Sequence, residues 1–179
     1  KKLKMPSEYY SFMKKNWVFV FLNTNEIAAY SNVVGTAKEQ ELLRIQNQIK
    51  VNKEIQGARW NGGVSSRQLQ WLDNLLKKSE KKNRNVLIFC HHPLYPRSQF
   101  TALNNMEILD VINRYNCVKA IFSGHHHSGA FGYFDHIPCN TVEGMIETPD
   151  KNSFGIVRIY KDRIELEGKE RMTSRLFML

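Results

Sequence analysis

Asn85-Val-Leu-Ile-Phe-Cys90 is an uninterrupted apolar run that stops at His91-His92-Pro93, and Val118-Lys-Ala-Ile-Phe122 stops the same way at Ser123-Gly124-His125-His126-His127. Short runs rich in β-branched and aromatic residues read as buried strands. Working outward, Trp17-Val-Phe-Val-Phe-Leu22 is a third such run, closing into the polar Asn23-Thr24-Asn25. Between the runs the apolar period lengthens to that of a helix. Leu42, Leu43, Ile45 and Ile49 predict a helix from Lys38 to about Lys50. Ser65 and Gln68 fit a capping box ahead of the stripe Leu69, Leu72, Leu75 and Leu76, which predicts a helix from about Ser66 to Lys78. Met106 to Tyr115 predicts a third helix. Strands alternating with helices argue an α/β domain with a largely parallel central sheet. After Gly129 the pattern changes: Gly132–Phe134, Cys139–Val142, Phe154–Tyr160 and Arg163–Glu167 predict short strands, with Lys161-Asp162 as a hairpin connection. The C-terminal part is therefore expected to be antiparallel.

The chain has 179 residues, one ordinary domain, and its 42% hydrophobic and 24% charged residues exclude disorder as its dominant state. The longest apolar run is far shorter than the roughly 18 residues of a membrane span, so the chain reads as soluble. No signal peptide opens it, because an apolar stretch of adequate length does not follow Lys1–Lys4 before Pro6; any targeting signal is expected upstream. The net charge of +9 invites an anionic partner. Much of the excess falls at Lys1, Lys2 and Lys4 and at Lys77, Lys78, Lys81, Lys82 and Arg84. The second group follows an amphipathic stretch, where cations oppose the helix dipole, and no aromatic residues interleave with it as stacking platforms. Specific nucleic-acid binding is not expected. Cys90, Cys117 and Cys139 form no zinc spacing and read as small buried hydrophobes.

Five of the six histidines lie in the two clusters just beyond predicted strands. The carboxyl ends of parallel strands open onto one crevice, so the clusters are expected to converge although more than thirty residues separate them. Neutral imidazole suits Zn, Fe and Mn, and a metal is the simplest reason to gather several such rings. If the backbone after Gly124 is extended, His125 and His127 point to one side and His126 to the other. Three histidines alone also satisfy a mononuclear zinc site. His136, in a loop before Ile137-Pro138, is left out. Asn61-Gly62-Gly63 reads as a turn ahead of the capped helix rather than a phosphate cradle, and Trp60 and Trp71 as core or lid aromatics. Glu143 and Glu147 read as structural hydrogen-bonding groups rather than an acid/base pair.

Phe89-Cys-His-His-Pro-Leu-Tyr95 and Phe122-Ser-Gly-His-His-His127 resemble the last two signature motifs, H-x-P and G-H-x-H, of the calcineurin-like metallophosphoesterases. Within that superfamily the chain is most similar to the manganese-dependent ADP-ribose/CDP-alcohol diphosphatases. That similarity runs through Asn61-Gly-Gly-Val-Ser65, Tyr95-Pro96, Glu143-Gly-Met-Ile-Glu-Thr-Pro-Asp150, Phe154-Gly155, Tyr160 and Gly168. The resemblance implies the C-terminal half of a metallophosphoesterase-type β-sandwich flanked by helices, its mixed sheet ending in antiparallel strands. The family's upstream D-x-H, G-D and G-N-H motifs do not occur in the sequence, so residues 1–179 are expected to form a single domain lacking its N-terminal metal-binding motifs. Asn23 and Glu26 stand where relatives carry aspartates.

Carried over by motif, the resemblance makes His91 and His125 ligands of one metal and His127 a ligand of a second, with His92 and His126 in the variable positions. It implies two divalent ions, Mn in preference to Fe or Zn, and a phosphorylated small-molecule substrate such as ADP-ribose or a CDP-alcohol. The missing N-terminal half would be a required partner. No catalytic acid or base and no substrate-binding residue is assigned within the chain. The competing expectation is a non-catalytic remnant that binds metal or nucleotide and regulates something else.

Overall fold

The structure, a computed structural model, describes Met5 and residues 7–179. The first basic cluster, Lys1, Lys2 and Lys4, lies outside the described residues. Six strands form the main sheet in the order β1 (Tyr10–Lys14), β2 (Trp17–Phe21), β5 (Asn85–Phe89), β6 (Val118–Ser123), β8 (Ile137–Thr141) and β7 (Ala130–Phe134). The four inner strands are mutually parallel, and hairpin partners β1 and β7 run antiparallel at the two edges. A separate antiparallel sheet holds β9 (Ser153–Ile159), β10 (Arg163–Glu170) and β11 (Arg175–Met178), and the two-residue strands β3 (Ile27–Ala28) and β4 (Gly62–Gly63) pair with each other. The α/β architecture and the antiparallel C-terminal sheet are as the patterning predicts. The segment around Cys139 differs: β8 lies parallel to β6 inside the main sheet, and all five of its residues are buried. A two-residue turn at Asp135-His136 folds β7 back outside it, which a local alternation pattern does not specify.

Each face of the main sheet has its own core. Val18, Val20, Val86, Ile88, Val118 and Ile121 point to one side, against Leu72, Leu76, Ile108, Leu109 and Ile112 of helices α2 (Ser66–Lys81) and α3 (Asn105–Ile112). Each such aliphatic side chain contributes about 1.5–3 kcal/mol on burial. Leu87, Ala120 and Phe122 point the other way, against Ile164, Leu166 and Phe177 of the three-stranded sheet. A bulge between the β5 and β6 registers, where Val86 pairs with Val118 but Leu87 with Ala120, lets Val118 and Ile121 share a face although they are three residues apart.

Helix α1 (Ala37–Val51) is capped by Thr36 and buries Leu42, Ile45 and Ile49 against Ile27, while Leu43 faces solvent. Helix α2 runs one turn beyond Lys78 and ends where Asn83 adopts positive φ and Arg84 N–H returns to the Ser79 carbonyl. Its last turns carry the second basic cluster, as expected. Helix α3 ends three residues before Tyr115, whose hydroxyl donates instead to Asp73 of α2. Ser65 accepts from Gln68 N–H as its N-cap, but Gln68 reaches across to the Asn23 backbone, and Glu26 supplies the acceptor for Ser65 N–H. Trp71 packs against the helix-side core, whereas Trp60 is exposed and not a core aromatic. All three cysteines are free; Cys117 and Cys139 are buried, and burial pushes both thiols up to about 12.

The second sheet does not cover the whole sandwich face. A row of stacked rings, Phe12, Phe19, Phe21, Phe89 and Phe122, crosses from β1 to β6, and Phe12 at its outer end is 47% exposed. Among the described residues strand β9 pairs only with β10, which leaves its other edge open above this row. A free edge beside exposed apolar rings is a template for association. Sedimentation velocity of the 179-residue chain should therefore show concentration-dependent self-association, reduced by Phe12→Lys; a strictly monomeric chain up to high concentration would contradict this.

Candidate metal centre

The parallel ladder continues beyond the last strand residues. Cys90 N–H donates to the Phe122 carbonyl at 3.1 Å, and Gly124 N–H donates to the His91 carbonyl at 2.9 Å. These bonds hold the residues after β5 and β6 side by side, at the carboxyl end where a parallel sheet opens. His125 then adopts φ +64°, uncommon for a residue with a Cβ and worth attention where it occurs. The extended backbone expected after Gly124 is thus replaced by a left-handed kink, which turns the His125 ring back toward β5. His91 Nε2 and His125 Nδ1 lie 3.0 Å apart. Two nitrogens about 2.0–2.1 Å from one ion, seen from it at about 90–110°, are separated by about 2.8–3.4 Å. The pair therefore fits two adjacent positions on one divalent ion.

The group of candidate ligand atoms within 4.8 Å of one another comprises His91, His92 and His125, with no carboxylate among the described residues. His92 nevertheless has both ring nitrogens engaged. Nε2 accepts from Gly62 N–H at 3.1 Å, and Nδ1 lies 3.0 Å from Thr24 Oγ1, which also accepts from His92 N–H. The ring is fully buried and has no free lone pair for a metal. Gly62 belongs to this lock, because a Cβ there would lie 2.3 Å from the Thr24 carbonyl oxygen. Gly62 and Gly63 are thus a buried strand pairing with β3 rather than a free turn.

His127 lies outside the group. The loop carries it to the 3-10 turn Met145–Glu147, where Nδ1 is 2.6 Å from Glu147 Oε1, both side chains being exposed. Glu143 accepts from Thr173 Oγ1, a structural bond of the kind expected. His126 turns its ring onto Phe100, stacked at 4.4 Å between centroids. His136 pairs with Asp135 in the β7–β8 turn, away from the cluster.

Burial and mutual repulsion keep the gathered rings neutral. Burial first, then the charges of His125 and His91, bring His92 down to about 3; burial and then His91 bring His125 to about 4. His91 is lowered by burial and by His127. Neutral imidazoles present lone pairs, which is what a cation requires. For the buried His92, protonation in the unfolded chain begins near 6.5 and in the folded chain near 3. Its contribution is therefore intact above 6.5 and lost as pH falls toward 3, at up to about 1.4 kcal/mol per pH unit. Urea melts of the metal-free chain should show this decline beginning below pH 6.5, and His92→Ala should make it shallower, the lowered His125 and His91 supplying the remainder. The same substitution should cost about 1–3 kcal/mol through the orphaned Gly62 N–H. Metal affinity should suffer less than in His91→Ala; equal losses would mean that His92 is a ligand.

Asn61 is the residue that sequence reasoning missed. It is buried, and its Oδ1 lies 3.0 Å from His125 Nε2. A separation of 64 positions leaves no local signal of that contact.

The mixed α/β sheet thus gathers imidazoles at the ends of two adjacent parallel strands, an arrangement suited to a divalent cation. Residues 4–129 match the calcineurin-like phosphoesterase family model, and the chain belongs to that family. It is 33% identical to a manganese-dependent ADP-ribose/CDP-alcohol diphosphatase from Bos taurus, over 88% of the chain and 51% of that protein. With the Homo sapiens protein of the same name it is 31% identical, over 96% of the chain and 56% of that protein. Among solved structures it superimposes with TM-score 0.86 on a dimetal phosphatase from Danio rerio, 28% identical, covering 95% of the chain and 60% of that structure. GAP50, the anchor in the inner membrane complex of Plasmodium, shares the fold at TM-score 0.54 and 11% identity. The chain thus spans about half the length of these relatives. No helix among the described residues is long and apolar enough to cross a membrane.

Proposed function

We propose that the chain supplies the histidine half of a two-metal phosphohydrolase site that cleaves the phosphoanhydride of nucleoside-diphosphate-linked compounds such as ADP-ribose or CDP-alcohols. The observation that carries this reading is the 3.0 Å approach of His91 Nε2 to His125 Nδ1 at the ends of adjacent parallel strands. His91 and His125 hold one divalent ion, manganese in keeping with the names of the relatives. His127 exchanges its contact with Glu147 for the second ion. The chemistry that two divalent ions would supply there is activation of a water nucleophile and charge neutralisation on the phosphoryl oxygens. A neutral imidazole has one lone pair and cannot bridge two cations, so a second ion would need carboxylate ligands from outside the gathered group, which this reading assigns to a further, N-terminal part of the domain. The uncovered ring row and the free edge of β9 are the surfaces on which that part sits. A trough of about 480 Å³ between them, lined by Trp17, Phe19, Leu87, Phe89, Val157 and Ile159, supports this placement.

The test is a substrate panel presented to the assembled domain with Mn²⁺. Release of a nucleoside monophosphate from ADP-ribose or CDP-choline, absent in His91→Ala, is the expected result. Metal binding with no hydrolysis of any phosphoanhydride would favour the non-catalytic, regulatory reading instead.

A further inference from the structure

We propose that Asn61 is a positioning residue of the metal centre: its side-chain oxygen holds His125 as the Nε2–H tautomer and so reserves Nδ1 as a lone-pair donor beside His91 Nε2. The inference rests on the reading of His91 and His125 as ligands of one ion, but its first step concerns the metal-free chain. The orientation of the Asn61 amide is fixed by its nitrogen, which donates to the Gln56 carbonyl and to the Gln99 carbonyl, each at 2.7 Å. Exchanging its oxygen and nitrogen would set an oxygen against two carbonyl oxygens. Oδ1 therefore faces His125 Nε2, 3.0 Å away, and an amide oxygen can only accept. His125 Nε2 must carry the hydrogen, and in a neutral imidazole Nδ1 is then bare.

The asymmetry between the two rings follows. His125 is set in advance by a buried partner. His91 donates its Nε2 hydrogen to His125 Nδ1 in the metal-free pair, and its exposure lets that hydrogen leave through solvent when an ion takes its place. One member of the pair is preorganised and the other adapts. A hydrogen-bond acceptor behind a ligating histidine also raises its basicity, and loss of such a partner typically weakens metal binding about 10–100-fold. The Gln99 carbonyl adds a second tie, anchoring the loop of Phe100 to the same amide.

Two-bond ¹⁵N–¹H spectra of the ¹⁵N-histidine-labelled, metal-free chain at neutral pH read the tautomer directly. His125 should appear as pure Nε2–H in the wild type and as a mixture in Asn61→Leu, which has similar volume but cannot accept. Asn61→Asp keeps an acceptor toward His125 and should retain the Nε2–H pattern, at a cost in stability because its second oxygen then faces the Gln56 and Gln99 carbonyls. Calorimetric titration with Zn²⁺ should show affinity about 10–100-fold weaker in Asn61→Leu, with Asn61→Asp closer to wild type. An Nδ1–H tautomer in the wild type overturns the proposal, as does a folded Asn61→Leu with unchanged affinity. If Asn61→Leu does not fold, the wild-type tautomer and Asn61→Asp decide. A wild-type Nε2–H tautomer without any Zn²⁺ binding would leave the hold on His125 standing and contradict the metal-centre reading itself.

Discussion

His125→Ala should lower the affinity of the chain for Zn²⁺ or Mn²⁺ by more than about 100-fold, the upper end of what removing a residue behind a ligand costs. The reason is geometric. His125 Nδ1 provides one of the two nitrogens 3.0 Å apart, and the third imidazole of the group, His92, is engaged with Gly62 and Thr24. His91→Ala removes the other nitrogen and should have a comparable effect. The substitutions should differ in their structural cost. His91 is exposed, so its loss should change the urea midpoint little, whereas removing His125 leaves the buried Asn61 oxygen without its partner and should destabilise by about 1–3 kcal/mol. Titration calorimetry and urea melts on the same preparations separate the two quantities. Affinity loss confined to His92→Ala would contradict the assignment.

On the proposed two-metal reading, supplying a carboxylate-bearing N-terminal half should change turnover even more. The 179-residue chain alone is expected to hydrolyse ADP-ribose no faster than the background with Mn²⁺ present, because its gathered ligands are imidazoles with no carboxylate among the described residues. Enzymes commonly exceed the uncatalysed reaction by at least about 10⁶-fold, so restoring the carboxylate half should raise the rate by several orders of magnitude. It should also suppress the self-association expected of the open β9 edge. Release of nucleoside monophosphate and sedimentation on the same mixtures measure both. Turnover by a pure, monomeric 179-residue chain would contradict the requirement for the second half.

The strands β2, β5 and β6 and all three helices were legible because their periods of two and 3.6 are carried by contiguous residues such as Val86–Phe89 and Leu69–Leu76. The convergence of His91 and His125 was legible too, since both follow buried parallel strands. Composition and period did not separate His91 from His92; only the H-x-P resemblance selects His91, and the engagement of His92 with Gly62 and Thr24 is a tertiary contact that no local pattern records. What escaped reading depends on tertiary partners. β8 beside β6, Glu26 in place of Gln68 on the Ser65 N–H, the left-handed His125 and the Asn61 amide behind it are contacts between segments far apart in sequence. A local pattern has no record of such pairings, and a single sequence offers no other source.

The most direct measurement of the central claim is anomalous diffraction at the zinc edge from crystals of the chain grown with Zn²⁺. The account predicts one strong peak about 2.0–2.1 Å from both His91 Nε2 and His125 Nδ1, with His92 still bonded to Gly62 and Thr24. A peak coordinated by His92, or none between the ends of β5 and β6 while Zn²⁺ binds elsewhere on the chain, would contradict it.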